Sequence, residues 1–223
     1  MKGCAVFFDL DGTLVDSVHD VHLCLNTVLK NYGREELSLP TVTSLVGGGA
    51  KIMARKALEI TGGVDSISQV KQISGSFLSL YRDNPVRLSK IFPGGIQLLE
   101  NLNNQGVRLA ICTNKPRITT DPVLNYFGLK KYFSMICCGD EVPHQKPDGR
   151  HITGIITEMA LKPEKVVMVG DSDNDILASS DAGVRSIAVT YGYDKNVVNL
   201  PELDLLAHSL FEIELLLEDI WLV

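Results

Sequence analysis

Three features of the 223-residue chain predict an α/β fold: a Rossmann-like core with a mostly parallel sheet, plus one inserted small α-helical cap. Short apolar runs alternate with amphipathic stretches, and glycine and proline punctuate the joins. One connection, between the first two runs, is several times longer than the dozen or so residues a parallel crossover needs. Hydrophobic residues make up 45% and charged residues 22%, a balance that fits a folded core and excludes intrinsic disorder. The formal net charge of −6 argues against nucleic-acid or membrane binding, where clustered positive charge supplies the attraction.

Taken in order, Ala5–Phe8 reads as a buried strand that stops at Asp9. No small-residue cleavage pattern follows it, so no signal peptide is expected, and later apolar stretches fall short of the ~18 residues of a membrane span. Residues 16–85 contain no strand pattern but three helical ones: Ser17–Tyr32, with Val18, Val21, Leu25, Val28 and Leu29 on one face, then Ala50–Ile60 and Ile67–Arg82. This segment is the expected cap, inserted into a core made of residues 1–15 and 86–223. Pro85 and the Pro93-Gly94-Gly95 turn mark the return to that core. Four further strands follow, Val107–Cys112, Met135–Cys138, Val166–Val169 and Ser186–Val189, each short, apolar or β-branched and bounded by turn residues. Between them lie the helical patterns Gly95–Gln105, Arg150–Met159 and Asn174–Ala182, two of them stopped by Gly106 and Gly183. Leu210–Leu217 reads as a closing amphipathic helix. The five cysteines (Cys4, Cys24, Cys112, Cys137, Cys138) show no CxxC pair and no zinc spacing, and three sit in strand-like runs. They read as small buried hydrophobes in a reducing, cytoplasmic setting.

The chemistry concentrates where strands end. Asp9-Leu10-Asp11-Gly12-Thr13, Thr113-Asn114-Lys115 and Gly170-Asp171-Ser172-Asp173-Asn174-Asp175 directly follow three of the strands, and Lys146-Pro147 precedes a helix. Ligands of open α/β sheets bind beyond the carboxyl ends of the strands, so these clusters converge there. Carboxylates brought together repel one another unless a cation sits among them, and an oxygen-only ligand set suits Mg²⁺. Thr113, Asn114 and Lys146 are then available to phosphate oxygens, and the site reads as one for phosphoryl transfer.

FDLDGTLVDS resembles the first motif of the haloacid dehalogenase-like hydrolase superfamily, and CTNKP, the lysine of QKPD, and VGDSDND resemble its second, third and fourth motifs in the right order. Within the superfamily the chain looks most like the phosphoglycolate phosphatase branch, whose small helical cap follows the first strand. By that resemblance Asp9 is the nucleophile that forms an aspartyl-phosphate, and Asp11 is the general acid and base. The metal would be held by Asp9, by Asp11 through its main-chain carbonyl, and by Asp171, with Asp175 either a ligand through water or a group that orients the site. Thr113 would bond a phosphoryl oxygen, Asn114 would add its amide, and Lys146 would offset charge on nucleophile and phosphate. Thr13 and the cap residues Gly47, Gly49 and Lys51 complete the expected substrate contacts. Gly47–Gly49 reads as a cap loop whose backbone approaches the substrate, with a plain flexible turn as the alternative, and Lys51 opens the next helix, a position that favours a small carboxylate. The stretch Asp148-Gly149-Arg150-His151 departs from the branch pattern, as does His19, where relatives often carry proline.

The simpler readings are weaker. A lone DxDG is often just a turn, but not beside three further motifs. An EF-hand loop needs glycine and a distal glutamate where Ile176 and Ala182 stand. Gly47-Gly48-Gly49 lacks a dinucleotide fingerprint, the histidines show no ligand spacing, and there is no GxSxG elbow. Asp173 reads as solvent-facing, and Thr113 also suits a helix N-cap. The expected function is Mg²⁺-dependent hydrolysis of a small phosphorylated metabolite, phosphoglycolate first, by a monomer or homodimer. The alternatives are the same chemistry on pyrophosphate, a sugar phosphate or a nucleoside monophosphate, and a catalytically silent phosphate-binding module.

Overall fold

The computed structural model describes residues 3–221. The chain begins with β1 (Ala5–Phe8) and a two-residue strand β2 (Val15–Asp16), then runs through α1 (Val18–Asn31), α2 (Leu39–Thr43), α3 (Ala50–Ile60) and α4 (Ile67–Asp83). A second short strand, β3 (Lys90–Ile91), leads to α5 (Gly95–Asn104), β4 (Arg108–Thr113), α6 (Arg117–Tyr126) and β5 (Met135–Cys138). The remainder is α7 (Arg150–Glu158), β6 (Val166–Gly170), α8 (Asp173–Ala182), β7 (Arg185–Val189), β8 (Leu205–Ala207) and α9 (Ile213–Trp221).

Six strands form one all-parallel sheet in the order β5-β4-β1-β6-β7-β8. The chain builds outward from β1 on one side, returns, and builds outward on the other, so strand order reverses beside β1. That reversal opens a crevice at the carboxyl ends of β1, β4 and β6. The period-two alternation of each strand sorts its side chains onto two faces. Val6, Phe8, Leu109, Ile111, Val167 and Val169 pack with Leu98, Leu99 and Leu102 of α5 and Leu217 of α9. Ala5, Phe7, Ala110, Cys112, Val166 and Met168 point the other way, onto Ile152, Ile155 and Ile156 of α7 and Ala178 and Ala182 of α8. Both faces are covered, so the strands are apolar throughout rather than alternating with polar residues. All five cysteines are free and buried.

The helices α1–α4 form the inserted unit, packed through Val21, Leu25, Met53, Ala57, Ile73, Phe77 and Tyr81. Its two connections pair as an antiparallel ribbon, Val15 opposite Ile91 and Asp16 opposite Lys90. Buried Asp20 fixes that junction from α1. Its carboxylate accepts the main-chain N–H groups of Arg87 (3.0 Å), Leu88 (3.0 Å) and Ser89 (2.8 Å) and the Ser89 hydroxyl (2.6 Å).

Several elements depart from the sequence expectation. α6 was not expected: Pro122 sits inside it and removes one helical N–H, but Thr119, Thr120, Val123 and Leu124 are buried and hold the helix in place. β8 and α2 span only three and five residues, too short for a periodic signal. The closing segment is a 3₁₀ turn, Leu210–Glu212, that passes into α9 and carries the helix beyond Leu217.

Candidate active site

Asp9 is the first residue past β1, and its N–H donates to the Val169 carbonyl of β6 at 2.9 Å, which fixes it between the two strands. Asp171 and Asp175 lie at the end of β6 and in the first turn of α8. One carboxylate oxygen from each of Asp9, Asp171 and Asp175 lies within 4.8 Å of the others, and all three residues are buried. Lys146 reaches in from the loop before α7. Its ammonium donates to Asp9 Oδ1 at 2.9 Å, Asp175 Oδ1 at 2.5 Å and the Cys112 carbonyl at 2.5 Å.

Glycines make this crowding possible. A Cβ at Gly12 or at Gly192 would fall on the Asp171 carboxylate, and one at Gly170 would fall on Asp175. Gly12 also has φ +87°, a conformation that favours glycine. Asp171 accepts the Tyr193 N–H at 2.7 Å and the Thr13 hydroxyl at 3.3 Å. Both oxygens of Asp175 are engaged, Oδ1 by Lys146 and Oδ2 by the N–H (3.1 Å) and hydroxyl (2.7 Å) of Ser172, in a capping box that starts α8.

Three buried carboxylates share one ammonium, and the electrostatics reflect the imbalance. Burial pushes the Asp9 pKa up from 3.8 to about 6, against the pull of Lys146 and with a further push from Asp175. Burial, then Asp175 and Asp9, carry Asp171 well above the ordinary carboxylate range. Burial works against the charge on Lys146, but Asp175 and Asp9 outweigh it and hold its pKa above the usual value. An all-oxygen donor set of three carboxylates, only partly offset by one ammonium, fits a hard divalent cation.

Asp11 lies apart from this cluster. Its carboxylate accepts the Lys115 ammonium at 2.9 Å on both oxygens and the Ser17 hydroxyl at 2.6 Å. Lys115 also donates to the Tyr81 hydroxyl of α4 at 3.3 Å and lies 4.4 Å from the centre of that ring. Burial opposes the charge on Lys115, yet the Asp11 carboxylate and Tyr81 phenol outweigh it and hold the ammonium's pKa above its ordinary value. Asp9, Asp11, Thr113, Asn114, Lys115 and Lys146 line a cavity of about 50 Å³ whose other wall is Val21, Leu45, Met53, Phe77, Leu78 and Tyr81 of the cap. A larger cleft of about 640 Å³ also borders Asp11, lined by Asp171, Asn174 and Tyr193 from the core and by Gly47, Gly48 and Lys56 from the cap.

The structure thus brings Asp9, Asp11, Lys146, Thr113, Asn114, Gly47 and Gly49 to one cavity, with Asp171 and Asp175 beside it. Three expected substrate contacts sit differently. Lys51 is exposed and lines neither cavity, because the helical turn directs Ala50 and Met53 inward instead. Thr13 is fully buried behind Asp171 and lines neither cavity; its hydroxyl is directed at that carboxylate. The Asn114 amide donates to the carbonyls of Gly47 in the cap (2.9 Å) and Lys146 in the core (2.8 Å), so both of its N–H groups are already engaged. The N-cap of α6 is Pro116, not Thr113. Asp173 is exposed, as expected. The Asp148–His151 stretch lines neither cavity: Asp148 pairs with Arg150 at 2.6 Å, and the Gly149 N–H donates to Asp181 at 2.7 Å, tying α7 to α8.

Sequence reasoning did not single out Lys115, Tyr81, Ser17 or Tyr193. Tyr193 accepts the N–H groups of Ser17 (2.7 Å) and Val18 (3.0 Å) at the start of α1, donates to Asp16 at 3.1 Å, and through its own N–H holds Asp171. Lys115 was visible as a member of the second motif, but nothing in one sequence pairs it with Asp11.

A parallel sheet carrying an aspartate-lysine cluster at its carboxyl edge, beneath a helical cap inserted after the first strand, defines a class of hydrolase. The sequence profile of the haloacid dehalogenase-like hydrolases matches residues 6–189, and the chain belongs to that family. It is 40% identical to a phosphoglycolate phosphatase of Agrobacterium fabrum over 83% of this chain and 80% of that one. It is 38% identical to phosphoglycolate phosphatase 1 of Pseudomonas aeruginosa, over 85% and 70% respectively. The crystal structure of a predicted phosphoglycolate phosphatase from Haemophilus somnus 129PT matches with a TM-score of 0.89 at 30% identity, covering 97% of this chain and 98% of that one. The chain is a hydrolase of phosphatase type, similar to phosphoglycolate phosphatases. Among the described residues, no helix is long and apolar enough to cross a membrane.

Proposed function

We propose that the chain is a Mg²⁺-dependent phosphatase that cleaves phosphoglycolate to glycolate and phosphate through an aspartyl-phosphate on Asp9. The observation that carries the reading is the buried Asp9 carboxylate, held at 2.9 Å by Lys146 beside Asp171 and Asp175. Mg²⁺, when bound by Asp9, Asp171 and the Asp11 main-chain carbonyl, would neutralise charge on nucleophile and phosphate. Asp175 orients Lys146 and the start of α8 rather than offering a free oxygen. In the first step Asp9 attacks phosphorus, the phosphorus–ester oxygen bond breaks, and Asp11 supplies the proton to the leaving oxygen. In the second, Asp11 takes a proton from water as that water attacks phosphorus, which releases phosphate and restores the Asp9 carboxylate.

Cavity size supports a small leaving group. The cavity against Asp9 is about 50 Å³, room for on the order of four water molecules and so for a two-carbon acid, while the 640 Å³ cleft lies against Asp171 and the acidic loop that opens α8. The names of the relatives support the same substrate. We propose further that the enzyme works in the cytoplasm, as a monomer or homodimer; the five free cysteines support a reducing setting.

The test is a steady-state assay of phosphoglycolate, pyrophosphate, a sugar phosphate and a nucleoside monophosphate. Phosphoglycolate should give the highest kcat/KM, EDTA should abolish turnover reversibly, and Ca²⁺ should bind but inhibit, because its looser shell misaligns Asp9. Full activity in EDTA would overturn the metal reading, and a better substrate elsewhere in the panel would overturn the substrate.

A further inference from the structure

We infer that Lys115 recognises the anionic tail of the leaving group: its ammonium donates to the substrate carboxylate in exchange for the Asp11 carboxylate that it holds in the free enzyme. This rests on the phosphatase reading above and names the specificity element within it.

Two cations line the cavity. Lys146 already directs its N–H groups at Asp9, Asp175 and the Cys112 carbonyl, all belonging to the phosphoryl end of the site. Lys115 is the other, 8% exposed, and its surroundings already form a carboxylate site, with both Asp11 oxygens at 2.9 Å. The Tyr81 hydroxyl and ring hold the ammonium in place from the cap, and the wall beyond is apolar, with Val21, Leu45, Met53 and Phe77. A second anion entering this cavity meets no other free positive charge.

Reach then sets the length of the tail. A general acid must come within about 2.6–3.2 Å of the ester oxygen it protonates. Lys115 lies 2.9 Å from the Asp11 carboxylate, so an anion within reach of its ammonium is one that starts on the carbon next to the ester-bearing carbon. That describes a 2-phosphooxy carboxylate. A tail longer by a methylene drives its charge into the apolar wall. An uncharged tail offers Lys115 nothing in exchange, so Asp11 stays paired instead of turning to the ester oxygen. A buried ammonium that loses one carboxylate and gains another keeps its compensation throughout.

The experiment compares phosphoglycolate, 3-phosphooxypropionate and ethyl phosphate in wild type, Lys115→Met and Lys115→Arg, with inhibition by glycolate and by inorganic phosphate measured on each. Wild type should prefer phosphoglycolate over ethyl phosphate by at least roughly 100-fold in kcat/KM, and over 3-phosphooxypropionate by roughly 10-fold. In Lys115→Met the preference over ethyl phosphate should collapse to within roughly 5-fold, mainly through KM. Glycolate inhibition should weaken at least roughly 10-fold while phosphate inhibition moves less than roughly 3-fold, a split that general damage would not produce. Lys115→Arg should retain part of the preference. If Lys115→Met keeps the wild-type preference, the assignment is wrong. A wild type that favours the longer acid overturns it without any variant, because the recognising charge would then lie beyond Lys115. A wild type indifferent to tail charge removes the phosphoglycolate reading itself.

Discussion

Asp9 carries opposite demands from folding and from chemistry. Its carboxyl binds a proton more tightly in the folded chain, with a pKa near 6, than in the unfolded chain, at 3.8. A group raised in this sense contributes stability that is fully present below pH 3.8 and is lost as pH rises through about 6. Asp171 is displaced in the same direction. Melting temperatures of the metal-free enzyme should therefore fall between about pH 4 and about pH 7, and the increment produced by Mg²⁺ should grow over the same interval as the cation takes the place of bound protons. An increment independent of pH would contradict the cation's binding among these carboxylates. Asp9→Asn removes the proposed nucleophile and one of the competing charges together. Turnover should drop to background, and the metal-free variant at about pH 7.5 should melt on the order of 5 °C higher than wild type.

At the scale of the element, the turn after β1 and the first turns of α1 set the site. Gly12 combines φ +87° with the close approach of the Asp171 carboxylate, so Gly12→Ala meets strain and overlap together. It should lower stability by about 2 kcal/mol and weaken Mg²⁺-dependent activity by at least roughly 100-fold, as checked by denaturant melts and by Mg²⁺ titration of the rate. Asp20 pins the returning connection of the cap through Arg87, Leu88 and Ser89, and these hydrogen bonds hold its pKa below the ordinary value despite burial. A lowered carboxylate pKa contributes stability that is present above pH 3.8 and disappears as pH falls through the folded value. Asp20→Ala leaves three buried or half-buried N–H groups without an acceptor and should cost about 2–3 kcal/mol. The variant should also lose the part of the acid destabilisation that wild type owes to this group, which urea melts at about pH 3 and pH 7 would reveal.

For the whole molecule the decisive feature is that core and cap complete one cavity between them. The Asn114 amide is a direct bond across that divide, donating to the Gly47 carbonyl at 2.9 Å, while Tyr193 holds both the start of α1 at Ser17 and Val18 and the Asp171 carboxylate. The apolar wall of the cap faces Asp9 across that cavity, and in the proposed reaction it would keep bulk water from the reacting atoms. Asn114→Ala should loosen the join between core and cap. Amide exchange across residues 45–53 should accelerate, and kcat/KM should fall roughly 10-fold for every phosphomonoester alike, in contrast to the substrate-selective loss expected at Lys115. Unchanged exchange in the cap loop would show that the Asn114 bond does not hold the two parts together.

By itself the sequence determined the α/β class, five of the six strands of the sheet, the helical insertion, and the gathering of Asp9, Asp171 and Asp175 at the strand ends. These are local: each strand is a short apolar run, and each reactive group sits directly after one or at the head of a helix, where the sheet geometry places it without further information. Only the tertiary structure decided α6, where buried Thr119, Thr120, Val123 and Leu124 outweigh an internal proline, and the ribbon of β2 with β3, two residues on each side. It also decided which lysine faces the cavity. Lys51 fits an anion site by helix position but turns out to solvent, whereas Lys115, unremarked in its motif, meets Asp11 across 104 positions of sequence and Tyr81 across 34. The physical reason is the same in each case. Periodicity and turn chemistry record what a segment does within one or two turns of itself, but which charge faces which is fixed by packing between segments distant in sequence, and that leaves no periodic trace.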